Sequence, residues 1–457
     1  MGSLDVAKES LHSTAPKQQL TFAVRRRVAE LVCPAVATPR ETKRLSDIDD
    51  QDTLRGHVRF ALFYRGGSQK QDDDPVGVIR RALAEALVPY YPLAGRLREV
   101  VARKLVVDCA GQGVLFVEAD ADVRLAEIQA AGPLTPPFPC MDQLLFDAQG
   151  SDGILNAPLL LIQVTRLLCG GFVFALRLNH TVCDAIGIVQ FMGAVAELAR
   201  GLPSPTVNPA WSRELLEARS PPSPSFPHRE YDLLPPPPPP PPSDMVLRTF
   251  SFSSGNIATI KKRLGDDKST TFEALAAALW LARTAALEIP AGELARLVVI
   301  ANFRPIAAGP DPGLGLPAGY YGNACVPPTA LADAGELTTS SSAMSLREAA
   351  ALVRGAKAAV TADYVRSTAD VLAERGRPCL ALDNLLVVSD LRHAGFRGVD
   401  FGWAGPVYGG PADTVFGVCF FVAVKGEDGE EAVAVPVVLP RIAMDRLAKE
   451  VERLCQA

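Results

Sequence analysis

His180-Thr181-Val182-Cys183-Asp184 puts an imidazole, a hydroxyl, a thiol and a carboxylate within five residues. The stretch stands where a strand-like run, Phe172 to Asn179, gives way to a helical pattern. A neutral imidazole held at such a corner can take a proton from an alcohol at physiological pH. A carboxylate is usually too weak a base for this, and a lysine usually arrives protonated. The competing reading of His180 is a buried histidine with both ring nitrogens satisfied, because a four-residue His-to-Asp interval is common by chance. Cys183 opens another alternative, the thiolate–imidazole pair of a cysteine hydrolase, although its place inside the turn suits a core residue better.

The elements that must hold this corner are legible as periodicities. Val78, Ile79, Leu83 and Leu87 lie on one face of a helix over Val76 to Leu87. After the histidine, Ile188, Phe191, Met192, Val195 and Leu198 recur at helical intervals, and Gly201 sits where a helix would stop. Short strand-like runs fill Phe22 to Phe63. Further helices are expected over Thr271 to Leu287, Ser345 to Val360 and Ile442 to Leu454. Strands are expected at Leu297 to Ala301 and Leu385 to Ser389, with Val415 to Lys425 and Glu431 to Leu439 forming a hairpin. Mixed helices and strands in both halves predict two α/β domains facing each other.

At 457 residues and 48% hydrophobic content, the chain is too long for one ordinary core, which also implies two domains. The net charge of −5, with no basic stripe among aromatics, argues against nucleic acid as a partner. Nine scattered cysteines, an odd number without CxxC or zinc-type spacing, read as free thiols with no metal site. No apolar leader or membrane-length span is visible, so the cytoplasm is the expected compartment. Residues 1–20 are expected to form a flexible tail, followed by an N-terminal domain over 21–202. A Pro-rich segment spans 203–245, and a C-terminal domain covers 246–457. The unbroken run Pro235 to Pro242 predicts a polyproline rod of roughly 25 Å, a spacer or alternatively a ligand for a proline-recognising module.

Three further words accompany the histidine: Tyr90-Tyr91-Pro92-Leu93-Ala94-Gly95-Arg96 near the start, Tyr320-Tyr321-Gly322-Asn323 in between, and Asp400-Phe401-Gly402-Trp403-Ala404-Gly405 downstream. In that order, across almost the whole length, they resemble the plant BAHD family of acyl-CoA-dependent acyltransferases, whose hallmarks are HxxxD and DFGWG motifs. Pro39-Arg40-Glu41-Thr42, Leu45 to Gln51 and Val407 to Ala412 are similar to its benzyl alcohol benzoyltransferase and alcohol acyltransferase branch.

The resemblance implies two chloramphenicol-acetyltransferase-like domains with a channel between them. It implies transfer of a benzoyl or acetyl group from acyl-CoA, as co-substrate, to a small alcohol such as benzyl alcohol, by a monomer with no tightly bound cofactor. Another hydroxyl or amine acceptor is the alternative within the family, and a catalytically dead interaction scaffold the alternative outside enzymology. His180 takes the role of catalytic base. Asp184 becomes the structural ion-pair partner of an arginine, here Arg304. Asn323 is the candidate for orienting His180, or else it closes a tight turn. Asp400 and Trp403 are expected to shape the fold and the coenzyme channel. Ser253, Lys261, Ser389 and Arg392 are the candidate coenzyme contacts, with the solvated face of a helix the alternative for Lys261. The chain departs from the family pattern at Ala185, after HxxxD, and at Ala404. The Ala404 methyl would suit negative φ and strain a backbone needing positive φ.

Overall fold

All eight residues of the strand Phe172–Asn179 are buried, as an apolar run flanked on both edges requires. It pairs antiparallel with Leu160–Arg166 on one side and with His57–Tyr64 on the other. These three are the middle of a seven-stranded sheet completed by Val24–Arg26, Glu30–Val32, Val114–Ala121 and Tyr408–Pro411. The second half of the chain builds another seven-stranded sheet in the order Met245–Ser253, Glu431–Pro440, Val418–Lys425, Leu385–Asp390, Leu294–Asn302 and Cys325–Val326, with Thr329–Asp333 also paired to Leu294–Asn302. A small sheet of Glu41–Arg44, Leu105–Cys109 and Arg96–Glu99 flanks the first. The computed structural model describes residues 20–67, 74–147, 153–233, 244–266, 268–307, 313–338, 344–426 and 429–456. The polyproline rod expected over Pro235 to Pro242 lies outside them, as do residues 1–19 of the expected tail.

Side chains alternate across a strand, and here the alternation joins the two halves. Phe60, Leu62 and Tyr64 point into a core shared with the helices Pro75–Ala86 and Ala185–Ala199. Ala61 and Phe63 point the other way, into a cluster with Val422, Val424, Ala432 and Ala434 of the second sheet. In the second half the helix Thr271–Ala286 is nearly all buried, with Trp280 at its centre, against the helices Leu346–Ala358 and Arg441–Cys455. Its cap is Thr270, which accepts from the Glu273 N–H at 3.2 Å, and the helix starts at Thr271, the position its periodicity predicts. A helix over Ala362–Glu374, outside the elements expected from periodicity, completes this half.

Two of the expected segments pack against the rest more closely than separate units and a spacer would. The span 246–457 is not one continuous packing unit: Phe396, Val399, Phe401 and Trp403 enter the first core, and Tyr408–Pro411 adds a strand beside His57–Tyr64. Nor is the described part of 203–245 a bare spacer, because Arg213, Leu216, His228, Glu230 and Tyr231 are buried. Its prolines preclude long regular elements but not an irregular chain pinned by side chains.

Candidate active site

The turn from Phe172–Asn179 into Ala185–Ala199 is held mainly through its backbone. The His180 N–H donates to the Gly56 carbonyl at 2.9 Å, and the Thr181 hydroxyl to Asn179 Oδ1 at 2.7 Å. His180 borders a cavity of about 620 Å³, a size suited to small ligands, walled by apolar side chains such as Phe60, Ile186, Ile300, Val326, Val387 and Phe420. Its Nδ1 is shielded from solvent without a hydrogen-bond partner among the described residues. Nε2 is therefore the ring nitrogen available to a group in the cavity. The alternative of a core histidine with both nitrogens satisfied does not describe this geometry.

Asp184 also lines the cavity, but its carboxylate is taken up by other partners. It caps the helix by accepting from the Gly187 N–H at 2.9 Å, and Arg304 donates to both its oxygens at 2.8 and 3.0 Å. The Ala324 N–H adds a further bond at 3.0 Å. Burial alone would push this carboxyl up, but the Arg304 charge and these donors hold it below the usual carboxylate range. Every strong acceptor direction is used, which leaves nothing to orient an imidazole.

Asn323 also differs from the expected orienter. Its Nδ2 donates to the His180 backbone carbonyl at 2.9 Å and to Asp49 Oδ1 at 2.9 Å, so both bonds go to groups other than the ring and one of them fixes the main chain. The group it shares leads to residues that sequence reasoning missed. Asp49, fully buried, accepts from the Ser46 hydroxyl at 2.6 Å, from the Asn323 N–H at 3.0 Å and from Arg213 Nη1 at 3.0 Å. Arg213 then donates from Nη2 to the Val182 carbonyl at 2.7 Å. Its guanidinium lies 4.4 Å from the Trp211 ring centroid and 5.4 Å from that of Tyr321. A Cβ on Gly322 would stand 1.3 Å from Arg213 Nη1, and one on Gly187 would stand 2.1 Å from the Tyr321 carbonyl. Both glycines are there for close approach. The signal was present in Leu45 to Gln51, but its partner stood in a stretch whose prolines concealed it.

Asp400 and Trp403 are absent from the cavity wall. Asp400 accepts from the Gly402 N–H at 2.8 Å, and its carbonyl accepts from Arg200. Trp403 packs edge-on to Phe172, with centroids 5.6 Å apart, and Phe401 sits 5.2 Å from Phe174. The motif thus anchors the returning segment to the first core. Ala404 takes φ of +63°, the strained case for a residue with a Cβ.

The four candidate coenzyme contacts are not brought together at the cavity. Ser389 lines it. Arg392 is turned back onto Asp390, donating at 2.8 and 2.6 Å. Ser253 caps the helix Ser254–Leu264 by accepting from the Asn256 N–H at 3.2 Å, and Lys261 stands in the last turn of that helix; neither lines the cavity. Cys183 is fully buried, does not line the cavity, and burial pushes its thiol up, the opposite of an activated nucleophile.

The family model described as "Transferase family" matches residues 22–454. Benzyl alcohol O-benzoyltransferase of Petunia hybrida is 46% identical over 95% of this chain and 94% of that protein. 13-hydroxylupanine O-tigloyltransferase of Lupinus albus is 47% identical over 96% of each. Among solved structures, vinorine synthase superposes with a TM-score of 0.71 at 21% identity, covering 94% of this chain and 98% of that one, which shows a shared fold.

Proposed function

The chain belongs to the Transferase family, the BAHD acyltransferases, and from that membership we propose that it moves an acyl group from coenzyme A to the hydroxyl of a small alcohol, forming an ester. The observation that carries the reading is His180, whose one available nitrogen borders an apolar cavity large enough for two small reactants. Benzoyl or acetyl donors and benzyl alcohol are favoured, in keeping with the similarity to the Petunia enzyme.

In this mechanism His180 accepts the hydroxyl proton as the alcohol oxygen attacks the thioester carbonyl. A base of ordinary imidazole strength cannot ionise an alcohol beforehand, so proton removal and bond formation proceed together. The proton held on His180 then serves the departing thiolate of coenzyme A. No nucleophilic side chain is required, so both substrates must be present at once. Apolar walls limit competing hydrolysis by excluding water. Ser389, one of the hydroxyl side chains that line the cavity with Thr53 and Thr414, is the residue we assign to a polar part of the donor. Asp184, Arg304, Asn323, Asp400 and Trp403 act by holding the backbone.

A second reading, in which the acceptor is the hydroxyl of a larger specialised metabolite, has the equal similarity to the Lupinus tigloyltransferase in its favour. We further read the enzyme as a cytoplasmic monomer; all nine cysteines are free, which fits a reducing compartment. The test is release of coenzyme A thiol from benzoyl-CoA or acetyl-CoA with benzyl alcohol, other small alcohols and amines, the product being checked by mass. Alcohol-dependent release with ester formation is expected. Thiol release that no alcohol accelerates would overturn the proposal.

A further inference from the structure

Every carboxylate lining the cavity is matched to an arginine among the described residues: Asp184 to Arg304 at 2.8 Å, Asp390 to Arg392 at 2.6 Å, and Asp413 to Arg59 at 3.2 Å. The third pair differs in its surroundings. Arg59 also donates to Asp147 at 2.9 Å, and Asp147 receives Arg177 at 2.6 Å. Arg59 and Arg177 are directly opposed on the antiparallel strands His57–Tyr64 and Phe172–Asn179. Two like charges on one rung repel, and Asp147 between them with Asp413 beyond matches two arginines with two carboxylates among these four side chains. Arg59 and Asp413 line the cavity with side chains 40% and 43% exposed, so this pair meets both the cavity and solvent, whereas Asp147, 48% exposed, and Arg177, 3% exposed, stand outside the cavity lining. The opposed pair lies two residues, roughly 7 Å, along the strands from the His57–Asn179 pair that adjoins His180.

We infer that Arg59, Asp147, Arg177 and Asp413 form a charge-balanced gate that selects uncharged alcohols, with Arg59 and Asp413 as specificity-determining residues. The inference rests on the proposed transfer to an alcohol. A charged acceptor loses hydration on entering the apolar cavity and meets no unmatched counter-charge in return, whereas a neutral alcohol has little to lose. Removing either member of the Arg59–Asp413 pair unbalances the gate with a known sign. Asp413→Asn leaves these four side chains at +1 and should admit carboxylates; Arg59→Gln leaves them at −1 and should admit ammonium groups.

The test uses three acceptors that share a ring: benzyl alcohol, 4-(hydroxymethyl)benzoate and 4-(aminomethyl)benzyl alcohol. With Asp413→Asn, the kcat/KM ratio of carboxylate to neutral acceptor should rise about tenfold and that of the ammonium compound should fall, the magnitude being tempered by the partial exposure of the pair. Arg59→Gln should do the reverse, and the double variant should return both ratios toward the wild type. Arg59→Lys, which keeps the charge, should move neither and so separates loss of charge from loss of shape. Ratios unchanged within twofold in variants that melt like the wild type would overturn the gate while leaving the alcohol reading intact. Affinities of the same three compounds, read by ligand-observed NMR, judge the gate without turnover, so a failure of the alcohol reading is seen separately.

Discussion

Arg213 donates to the Val182 carbonyl at 2.7 Å from one nitrogen while another holds Asp49, tying the turn that carries His180 to the Pro-rich segment and to the N-terminal loop. This pair is more deeply buried than Asp184–Arg304: the side chains are 1% and 0% exposed, against 8% for Asp184 and 18% for Arg304.

Arg213→Lys keeps the charge but loses the fork that reaches Asp49 and the Val182 carbonyl together. The expected outcome is kcat lowered about tenfold with KM changed much less, because misplacing a base affects the transition state more than ground-state binding. Arg213→Met leaves Asp49 as an uncompensated buried charge and should cost about 3–5 kcal/mol of stability, read by denaturant unfolding. Steady-state rates of the lysine variant equal to the wild type would show that the clamp serves stability alone.

His180→Ala should lower the transfer rate by roughly 10²–10⁴-fold while leaving coenzyme A binding nearly unchanged, since the imidazole acts on the hydroxyl proton. Rates near wild type in this variant would end the mechanism.

Asp184→Asn should destabilise by about 3–5 kcal/mol at neutral pH, because Arg304 loses its counter-charge. The folded carboxyl titrates below its unfolded value, so the native state holds fewer protons there. Its stabilisation is fully present above the unfolded pKa of ~3.9 and is lost as pH falls through the lower folded value. Melting curves of the two proteins should therefore converge in acid, and a constant gap down to the lowest pH would contradict the assignment.

Ala404→Gly should stabilise the protein by about 0.5–1 kcal/mol. The alanine holds φ of +63°, and its methyl is exposed, so glycine relieves strain with little buried surface lost. Part of the gain is offset by the greater freedom of glycine in the unfolded chain. Chemical denaturation of the pair measures the difference, and a destabilised glycine variant would contradict the strain.

No acyl-enzyme should accumulate, because the thiol nearest His180 in sequence, Cys183, is buried and held protonated. Initial-rate patterns with varied acyl-CoA and alcohol should intersect. A one-acyl mass shift after incubation with acyl-CoA alone would point to a covalent step.

Much of the architecture was legible in one dimension because its causes are local. The helix Ala185–Ala199 follows from a 3.6-residue apolar rhythm and ends where Gly201 takes φ of +93°. The buried strand before it follows from an uninterrupted apolar run, and His180 stands out because the two patterns meet there. Motif order across the chain pointed to the family and, through it, to Asp184 with Arg304. Other relationships were settled only by folding. Asn323 reaches Asp49 across 274 positions, and Tyr408–Pro411 leaves its own half to pair with His57–Tyr64. Arg213, in a stretch whose prolines suggest only a spacer, becomes the buried cation behind the turn. Periodicity reports which face of an element is apolar, but a hydrogen bond between distant segments is set by how those faces stack, and residue type alone does not encode that register. Residue type and motif order thus single out His180 as the candidate base, while packing selects the side chains that hold its turn and the charges that border the cavity beside it.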